Sequence, residues 1–221
     1  MNIVILLTAI TSLASCMRTV EADNQISSIP MVESQIITSD TTISFEDIKN
    51  FTPSFTGKKQ TLNWQIVSTE GNNVVAQTAK NEGDYFNLLV LNNPIYKDLS
   101  LSVKIKALAG TEDQGGGLVW RYIDNNNYYI ARCNPLENNF RFYKVVNGNR
   151  KQLKSVDCTI KSGEWFIISI SIIGNKITCS LNDNKMIETT DDTYTNAGRV
   201  GLWTKADAQS QFDDLKIQSI K

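Results

Sequence analysis

Residues 115–134 read GGGLVWRYIDNNNYYIARCN, and this stretch decides the fold because it has the pattern of a β-hairpin. Apolar and aromatic side chains alternate from Leu118 to Tyr122, a polar IDNNN connection follows, and a second run extends from Tyr128 to Arg132. Alternation with a period of two residues is typical of strands that bury one face. The stretch is also rich in Trp, Tyr and Arg, the side chains that hold flat polar ligands, so it is the first candidate for a binding surface.

The same strand pattern continues on both sides of the hairpin. Residues 99–108 alternate apolar side chains with Ser and Lys, and residues 165–173 run into residues 177–181 through Gly174-Asn175. Asn147-Gly148 is a further hairpin signal. From Thr42 onward there is no amphipathic helix pattern, and this many short antiparallel strands cannot remain one open sheet. The sequence therefore predicts an all-β fold of two packed antiparallel sheets.

Composition excludes several classes of function. The 221-residue chain has 22 basic and 23 acidic residues, a formal net charge of -1. Neither a basic run nor a large positive excess is present, so we expect no nucleic-acid partner. The chain contains no histidine, which removes Ser-His and Cys-His nucleophiles and His-ligated metals and leaves carboxylates, Lys, Arg, Tyr and Cys as reactive groups.

The N-terminus has the pattern of an export signal. Residues 1–15 are apolar, too short for a comfortable membrane span, and end in small residues. Leu13-Ala14-Ser15-Cys16 resembles the bacterial lipobox, which implies that Cys16 carries a lipid, becomes the mature N-terminus, and holds the protein in the cell envelope by that lipid alone. A plain secretory signal with an incidental Cys16 is the alternative. Residues 16–41 are Ser-, Thr- and acid-rich and are predicted to be a tether, with one domain at 42–221.

Three further cysteines, Cys133, Cys158 and Cys179, are an odd number that cannot form a complete disulfide framework. Cys158 and Cys179 both occupy apolar positions of alternating runs, where free cysteine acts as a small hydrophobic residue. A bridge between Cys158 and Cys179 in an oxidising compartment is the alternative.

Several motifs, in this order, are similar to a known group of exported bacterial domains. They are GGLVWR, NYY, NGNR, GEW, GLWTKAD and FDD, and the similarity covers residues 42–220. The group has the concanavalin A-like (laminin-G-like) jelly-roll sandwich, and this chain resembles the domain described as a 3-keto-disaccharide hydrolase. The resemblance implies the same jelly-roll fold for this chain and a carbohydrate as its partner. It is less specific for function, since the fold hosts lectins, glycosidases, lyases and adhesion modules.

Strand alternation selects candidate ligand-binding residues. If Tyr122 faces Tyr128, then Trp120 points into the core, while Arg121 and Tyr129 share the opposite face, which in the related folds is the concave surface that faces the sugar. The candidate ligand-binding residues are Arg121, Tyr129, Arg132, Asn134 and Trp203.

Two of these residues leave alternatives open. In this register Arg132 points toward the core, where a charged side chain is rarely buried without a partner. A bulge after Ile130 would reverse it, or it would lie at the rim in an ion pair with Glu137; a ligand role and a structural ion pair both remain open. Trp203 alternates away from the aliphatic core, where an indole stacks on a pyranose ring, and core packing through a bulge is its alternative.

Candidates for catalysis and for metal binding are fewer. Glycosidases use two carboxylates, about 5–5.5 Å or 6.5–9.5 Å apart, and no strand here carries such a pair at alternating positions. Glu137, just after the Arg132 strand, is the single plausible catalytic acid. The resemblance implies a structural calcium at Asp213, within QFDDLKI, although calcium requires six to eight oxygen ligands.

These observations give three hypotheses. The first is a lipid-anchored envelope protein with a carbohydrate-binding, non-catalytic jelly-roll domain. The second is a glycoside hydrolase acting on oligosaccharides, as the resemblance implies. The third is a structural envelope domain with no small ligand.

Overall fold

The computed structural model describes residues 40–58 and 60–220, and its regular structure is entirely β-strand. The strands are β1 (Thr41–Ile43), β2 (Phe51–Thr56), β3 (Trp64–Thr69), β4 (Asn72–Gln77), β5 (Phe86–Leu91), β6 (Leu99–Ala109), β7 (Gly116–Asp124), β8 (Asn127–Asn134), β9 (Asn139–Val146), β10 (Asn149–Asp157), β11 (Trp165–Ile173), β12 (Lys176–Leu181), β13 (Asn184–Thr190), β14 (Arg199–Lys205) and β15 (Gln209–Ser219).

The strands form two antiparallel sheets. One has the order β13-β12-β11-β6-β15-β4-β3, with β1 paired to β15, and the other has the order β10-β9-β8-β7-β14-β5-β2. The predicted all-β antiparallel sandwich of the jelly-roll class is therefore confirmed.

The main core lies between the sheets because each long strand alternates buried and wetter positions. In β6, Leu101, Val103 and Ile105 are fully buried, and the side chains between them are partly exposed. These apolar side chains meet Trp120, Phe142 and others from the second sheet in one cluster. The free Cys133 and Cys179 are buried in the same cluster, and Cys158 packs against it.

The β7-β8 hairpin has a register that differs from the predicted one. Trp120 pairs with Tyr129 and Val119 with Ile130, and the pairing then shifts before Asp124 meets Asn127. Arg121 lies within this irregularity with a φ of 49°, as expected for a β-bulge, which adds a residue to one strand. Relative to the predicted hairpin, the bulge shifts the pairing of the residues from Tyr129 to Arg132 by one position. The side chains of Tyr129 and Arg132 therefore lie on the faces opposite to those predicted.

The outer face of the seven-stranded sheet is also apolar over much of its area. Side chains from β5, β7, β8, β9 and β14 form a second buried cluster there: Phe86, Leu88, Val90, Val119, Tyr122, Tyr128, Ile130, Tyr143, Val145 and Trp203. Edge strand β2 helps to close it, since Thr56 Oγ1 lies 2.6 Å from Tyr128 Oη and Asn125 Nδ2 donates to Phe55 O at 2.9 Å. These contacts join β2 to Tyr128 and to the β7-β8 turn across this face.

The predictions for the N-terminus fall largely outside the described residues. The signal peptide at 1–15, the lipid on Cys16 and the tether as far as residue 39 are all in that part of the chain. Strand β1 begins at Thr41, one residue before the predicted start of the domain. Across residues 40–58 and 60–220, no helix has the length and apolarity that a membrane crossing needs.

Candidate functional site

The polar part of the outer face is organised around Arg132. This residue pairs with Gly117 of β7 and with Arg141 of β9, and Gly117 pairs in turn with Trp203 of β14. A Cβ on Gly117 would come within 2.1 Å of Ala131 O and 2.7 Å of the Arg132 Cβ. Glycine is therefore required at 117 because the neighbouring strand approaches closely.

Arg132 is 1% exposed and its guanidinium is held by three side chains. Nη1 donates to Asn139 Oδ1 at 2.7 Å, while Nη2 donates to Glu137 Oε2 at 2.6 Å and to Tyr143 Oη at 3.2 Å. The structure thus contains the ion pair between Arg132 and Glu137 that was one of the two predicted alternatives. No bulge after Ile130 is present, because the register shift lies between Trp120 and Asp124. A buried charge is tolerated because each of these bonds replaces water.

Glu137 lies between two arginines. Its Oε2 accepts from Arg132 and, at 3.0 Å, from Arg141 Nη1, and the side chain is 44% exposed. Burial alone would raise the pKa of Glu137, but the hydrogen bonds from Arg132 and Asn139 together with the charge of Arg141 lower it overall. Glu137 is therefore an ionised carboxylate that faces solvent.

Asp113 has the opposite electrostatic environment. Burial raises its pKa to about 6, and the nearby charges of Arg132 and Lys205 only partly offset this effect. Asn134 Nδ2 donates to Asp113 Oδ1 at 3.2 Å, and Lys205 Nζ lies 4.0 Å from Oδ2. We call Asp113, Arg132, Asn134, Glu137, Asn139, Arg141 and Tyr143 the polar basin. It holds two carboxylates whose pKa values are shifted in opposite directions.

Asn134 belongs to the polar basin in a positioning role. It is 1% exposed, and its Oδ1 accepts from Leu136 N at 2.9 Å. The side chain therefore fixes the turn that carries Glu137 while its amide holds Asp113.

Trp203 lies on the outer face, as its alternation predicts, but it is 1% exposed. The guanidinium of Arg150 covers it, with Cζ 5.9 Å from the ring centre, and also contacts the rings of Phe86 and Tyr143. The indole thus supports Arg150 and presents little surface of its own to a ligand.

Arg121 and Tyr129 do not face the outer surface, and the predicted placement of this pair is wrong. Tyr129 belongs to the main core, and its Oη donates to Asp191 Oδ1 at 2.6 Å. Arg121 is fully buried and donates to Asn196 O at 2.6 Å and to Asp98 Oδ1 at 3.3 Å. The bulge at Arg121 causes both reversals, and both side chains are buried away from the outer face.

Asp213, the predicted calcium ligand, is hydrogen-bonded within the protein. Its Oδ2 accepts from Asn72 Nδ2 at 2.9 Å and its Oδ1 from Asp214 N at 2.8 Å. Within the described part of the chain, no three acidic, His or Cys side chains are grouped so that they could hold a metal ion. Calcium at Asp213 stays a prediction.

Sequence reasoning missed several members of the site. Asp113 precedes the hairpin in a polar loop that gives no strand signal, and Arg150 ends the NGNR motif, which predicts a hairpin turn and no role for the arginine. Their proximity to Arg132 depends on how three hairpins pack together, which no local pattern reports.

Solved structures of low sequence identity share the fold. The carbohydrate-binding module CBM66 from Bacillus subtilis has a TM-score of 0.62 at 19% identity, covering 77% of this chain and 96% of that one. A putative glycosyl hydrolase from Parabacteroides distasonis has a TM-score of 0.55 at 17% identity, covering 82% and 100%. The cellulose-induced protein Cip1 has a TM-score of 0.60 at 12% identity, covering 81% and 97%. At these identities the likeness establishes the architecture.

Sequence comparison identifies the family. No curated protein matches the chain. The model of the 3-keto-alpha-glucoside-1,2-lyase-like domain matches residues 50–218, which is more than half of the chain. The chain therefore belongs to the 3-keto-alpha-glucoside-1,2-lyase-like domain family.

Proposed function

We propose that this domain binds a saccharide at the polar basin on the outer face of the seven-stranded sheet. The observation that carries the proposal is that the outer face presents a group of charged hydrogen-bonding side chains held in place by one another. The Glu137 side chain is 44% exposed, and Arg141 is held beside it at 3.0 Å. Sugar sites use a few such rigid polar groups to orient hydroxyls. Family membership and the carbohydrate-binding fold neighbour support the same partner.

A second candidate function, catalysis on a 3-keto-glucoside, is favoured by the two carboxylates. Below about pH 6, Asp113 keeps its proton while Glu137 is ionised. Two carboxyl groups whose pKa values are shifted apart in this way can act as the acid and the base of one reaction. In a 1,2-elimination, a carboxylate takes the C2 proton, the C2–H electron pair forms an enolate with the 3-keto group, and the C1–O bond breaks as the leaving oxygen is protonated. Glu137 is the proposed base, Asp113 the proposed proton donor, and the adjacent guanidiniums would stabilise the enolate charge.

One experiment separates the two functions. The purified protein is titrated with oligosaccharides and 3-keto-glucosides while calorimetry follows binding and chromatography follows product release. For a binding domain we expect saturable binding without product, weakened about tenfold or more in Glu137→Gln, because a charged hydrogen-bond partner is lost. Turnover that Glu137→Gln abolishes would establish the enzyme.

The matched control is Glu188→Gln. Glu188 is an exposed glutamate on β13 of the other sheet and pairs only with Lys185 among the described residues. Its replacement should leave binding unchanged. Neither binding nor turnover across the panel would contradict the proposal and favour a structural envelope domain.

We further propose that the protein is an envelope lipoprotein anchored through Cys16. The support is the lipobox-like Leu13–Cys16 segment after an apolar stretch. Mass spectrometry of the mature protein should find an N-terminal Cys16 carrying diacylglycerol, and Cys16→Ser should remain unacylated. A mature chain that begins elsewhere without lipid would refute the anchor.

A further inference from the structure

Arg150 lies across the outer face instead of pointing into solvent. Its strand pairs with β9 at Val145, and the side chain reaches over three aromatic rings. The Cζ atom is 4.7 Å from the ring centre of Tyr143, 5.0 Å from Phe86 and 5.9 Å from Trp203. Three rings fix the plane of the guanidinium and shield one side of it from water.

The Arg150 guanidinium has no anionic partner among the described residues. Arg121, Arg132 and Arg141 each lie within 3.3 Å of a carboxylate oxygen, whereas Arg150, like Arg199, makes no ion pair with any residue in the described ranges. Its Nη1 is buried without an acceptor. Arg150 is partly buried, and a buried donor without an acceptor is costly to the folded state. Its fixed position over the rings therefore favours a ligand that supplies an acceptor.

A cavity of about 580 Å³ adjoins this guanidinium. It is bounded by the β9-β10 turn, by the loop after β2 and by the loop before β5. Its lining residues include Lys58, Gln60, Glu82, Asp84, Phe86 and Arg150. The volume falls in the range of pockets that hold small organic ligands, and we call it the Arg150 pocket.

The guanidinium geometry in the Arg150 pocket suits a singly charged planar anion. A guanidinium offers two parallel N–H donors that match both oxygens of a carboxylate. Glu82 and Asp84 also line the pocket, and their negative charges oppose a dianion such as a phosphate monoester. The Arg150 pocket is close to the polar basin, since the ring of Tyr143 is contacted by both Arg150 and Arg132.

We infer that the Arg150 pocket binds the carboxylate of an acidic saccharide, so that the ligand of this domain contains a uronic acid. This inference rests on the proposed saccharide binding and adds the substrate class. Arg150 supplies a paired hydrogen bond to the carboxylate, and the polar basin holds the neighbouring sugar.

The test compares ligands that differ only at the carboxyl group. The purified full chain is titrated by calorimetry with oligomers of glucuronate, galacturonate and mannuronate, and with the same oligomers after chemical reduction of each carboxylate to an alcohol. We expect the best acidic oligomer to bind about tenfold or more tightly than its reduced form. Arg150→Gln should remove this difference, and Arg150→Lys should restore only part of it, because an ammonium cannot make the paired contact.

The control variant is Arg199→Gln, another arginine set over a tyrosine ring, in this case Tyr122 at 6.0 Å. It should keep the preference for the acid, and thermal unfolding should show that both variants fold. Equal binding of acidic and reduced oligomers would overturn the inference and leave saccharide binding intact. Tighter binding of sulfated or phosphorylated sugars would also overturn it. No binding of any sugar would remove the proposed function as well.

Discussion

Replacing Arg132 with Met should destabilise the domain by about 2–4 kcal/mol, because a buried arginine that holds three partners is removed. Asn139 and Tyr143 are themselves buried and would lose a charged donor. Glu137 is partly exposed and can recover water, which limits the loss. For a domain of this size the change corresponds to a fall in Tm of roughly 5–15 °C, measured by calorimetry or by denaturant titration.

Arg141→Met is the matched control for this prediction. Arg141 contacts the same Glu137 oxygen at 3.0 Å, but its side chain is more exposed, and exposed ion pairs contribute little. We expect a change below about 1 kcal/mol. Arg132→Met protein with unchanged stability and weakened sugar binding would instead assign Arg132 to the ligand. Arg132→Lys, which keeps the charge, distinguishes loss of charge from loss of the fork of hydrogen bonds.

The hairpin at 115–134 shows what the sequence determines and what it leaves open. Alternation correctly predicts both strands and the core position of Trp120, because these depend on which side chains must leave water. The turn is shorter than the predicted IDNNN connection, since β7 ends at Asp124 and β8 begins at Asn127. The register depends on one bulge at Arg121. That bulge is stabilised by contacts with Asp98 and Asn196, which are distant in sequence, so no pattern within the hairpin reports it.

The error in register had a large effect on the candidate site. Because side chains alternate, a shift of one residue exchanges the two faces. It moved Tyr129 into the core and brought Arg132 to the outer face beside Gly117. The simple hairpin buries the charged Arg132 among aliphatic side chains, which is rare in proteins. This unfavourable burial is the one feature of the sequence that indicates a different register.

The remaining site residues come from loops, and their association is a property of the packed sheet. Asp113 is fixed by the Asp207 carboxylate, which accepts from the backbone N–H groups of Thr111, Glu112 and Asp113 at 2.6–3.2 Å. Asp207 follows β14, so a residue nearly a hundred positions away positions the loop. A single sequence supplies no means of predicting this contact, although it does show that both residues are acidic and lie in polar segments.

Asp113 gives the second large effect, a stability that depends on pH with an unusual sign. Its pKa rises from 3.8 to about 6 in the folded protein, so the folded state binds the proton more tightly than the unfolded chain does. The stabilisation that the protonated Asp113 provides is fully present below about pH 4. It decreases as the pH rises to about 6 and is lost above that pH. A difference of this size corresponds to about 3 kcal/mol. Asp113→Asn should therefore unfold at a higher temperature than the natural protein at pH 7, with the advantage shrinking to near zero at pH 4.

The control for this pH effect is Asp207→Asn. Burial alone would raise the pKa of Asp207, but hydrogen bonds from Thr111, Asp113 and Glu112 hold it at about 2. Its contribution is present above pH 4 and is lost as pH falls toward 2, so Asp207→Asn should lower stability at pH 7. The two variants, on loops that are hydrogen-bonded to each other, must shift Tm at pH 7 in opposite directions. If both lower Tm there, Asp113 is ionised without penalty in the folded protein, and it cannot be the proton donor of the polar basin.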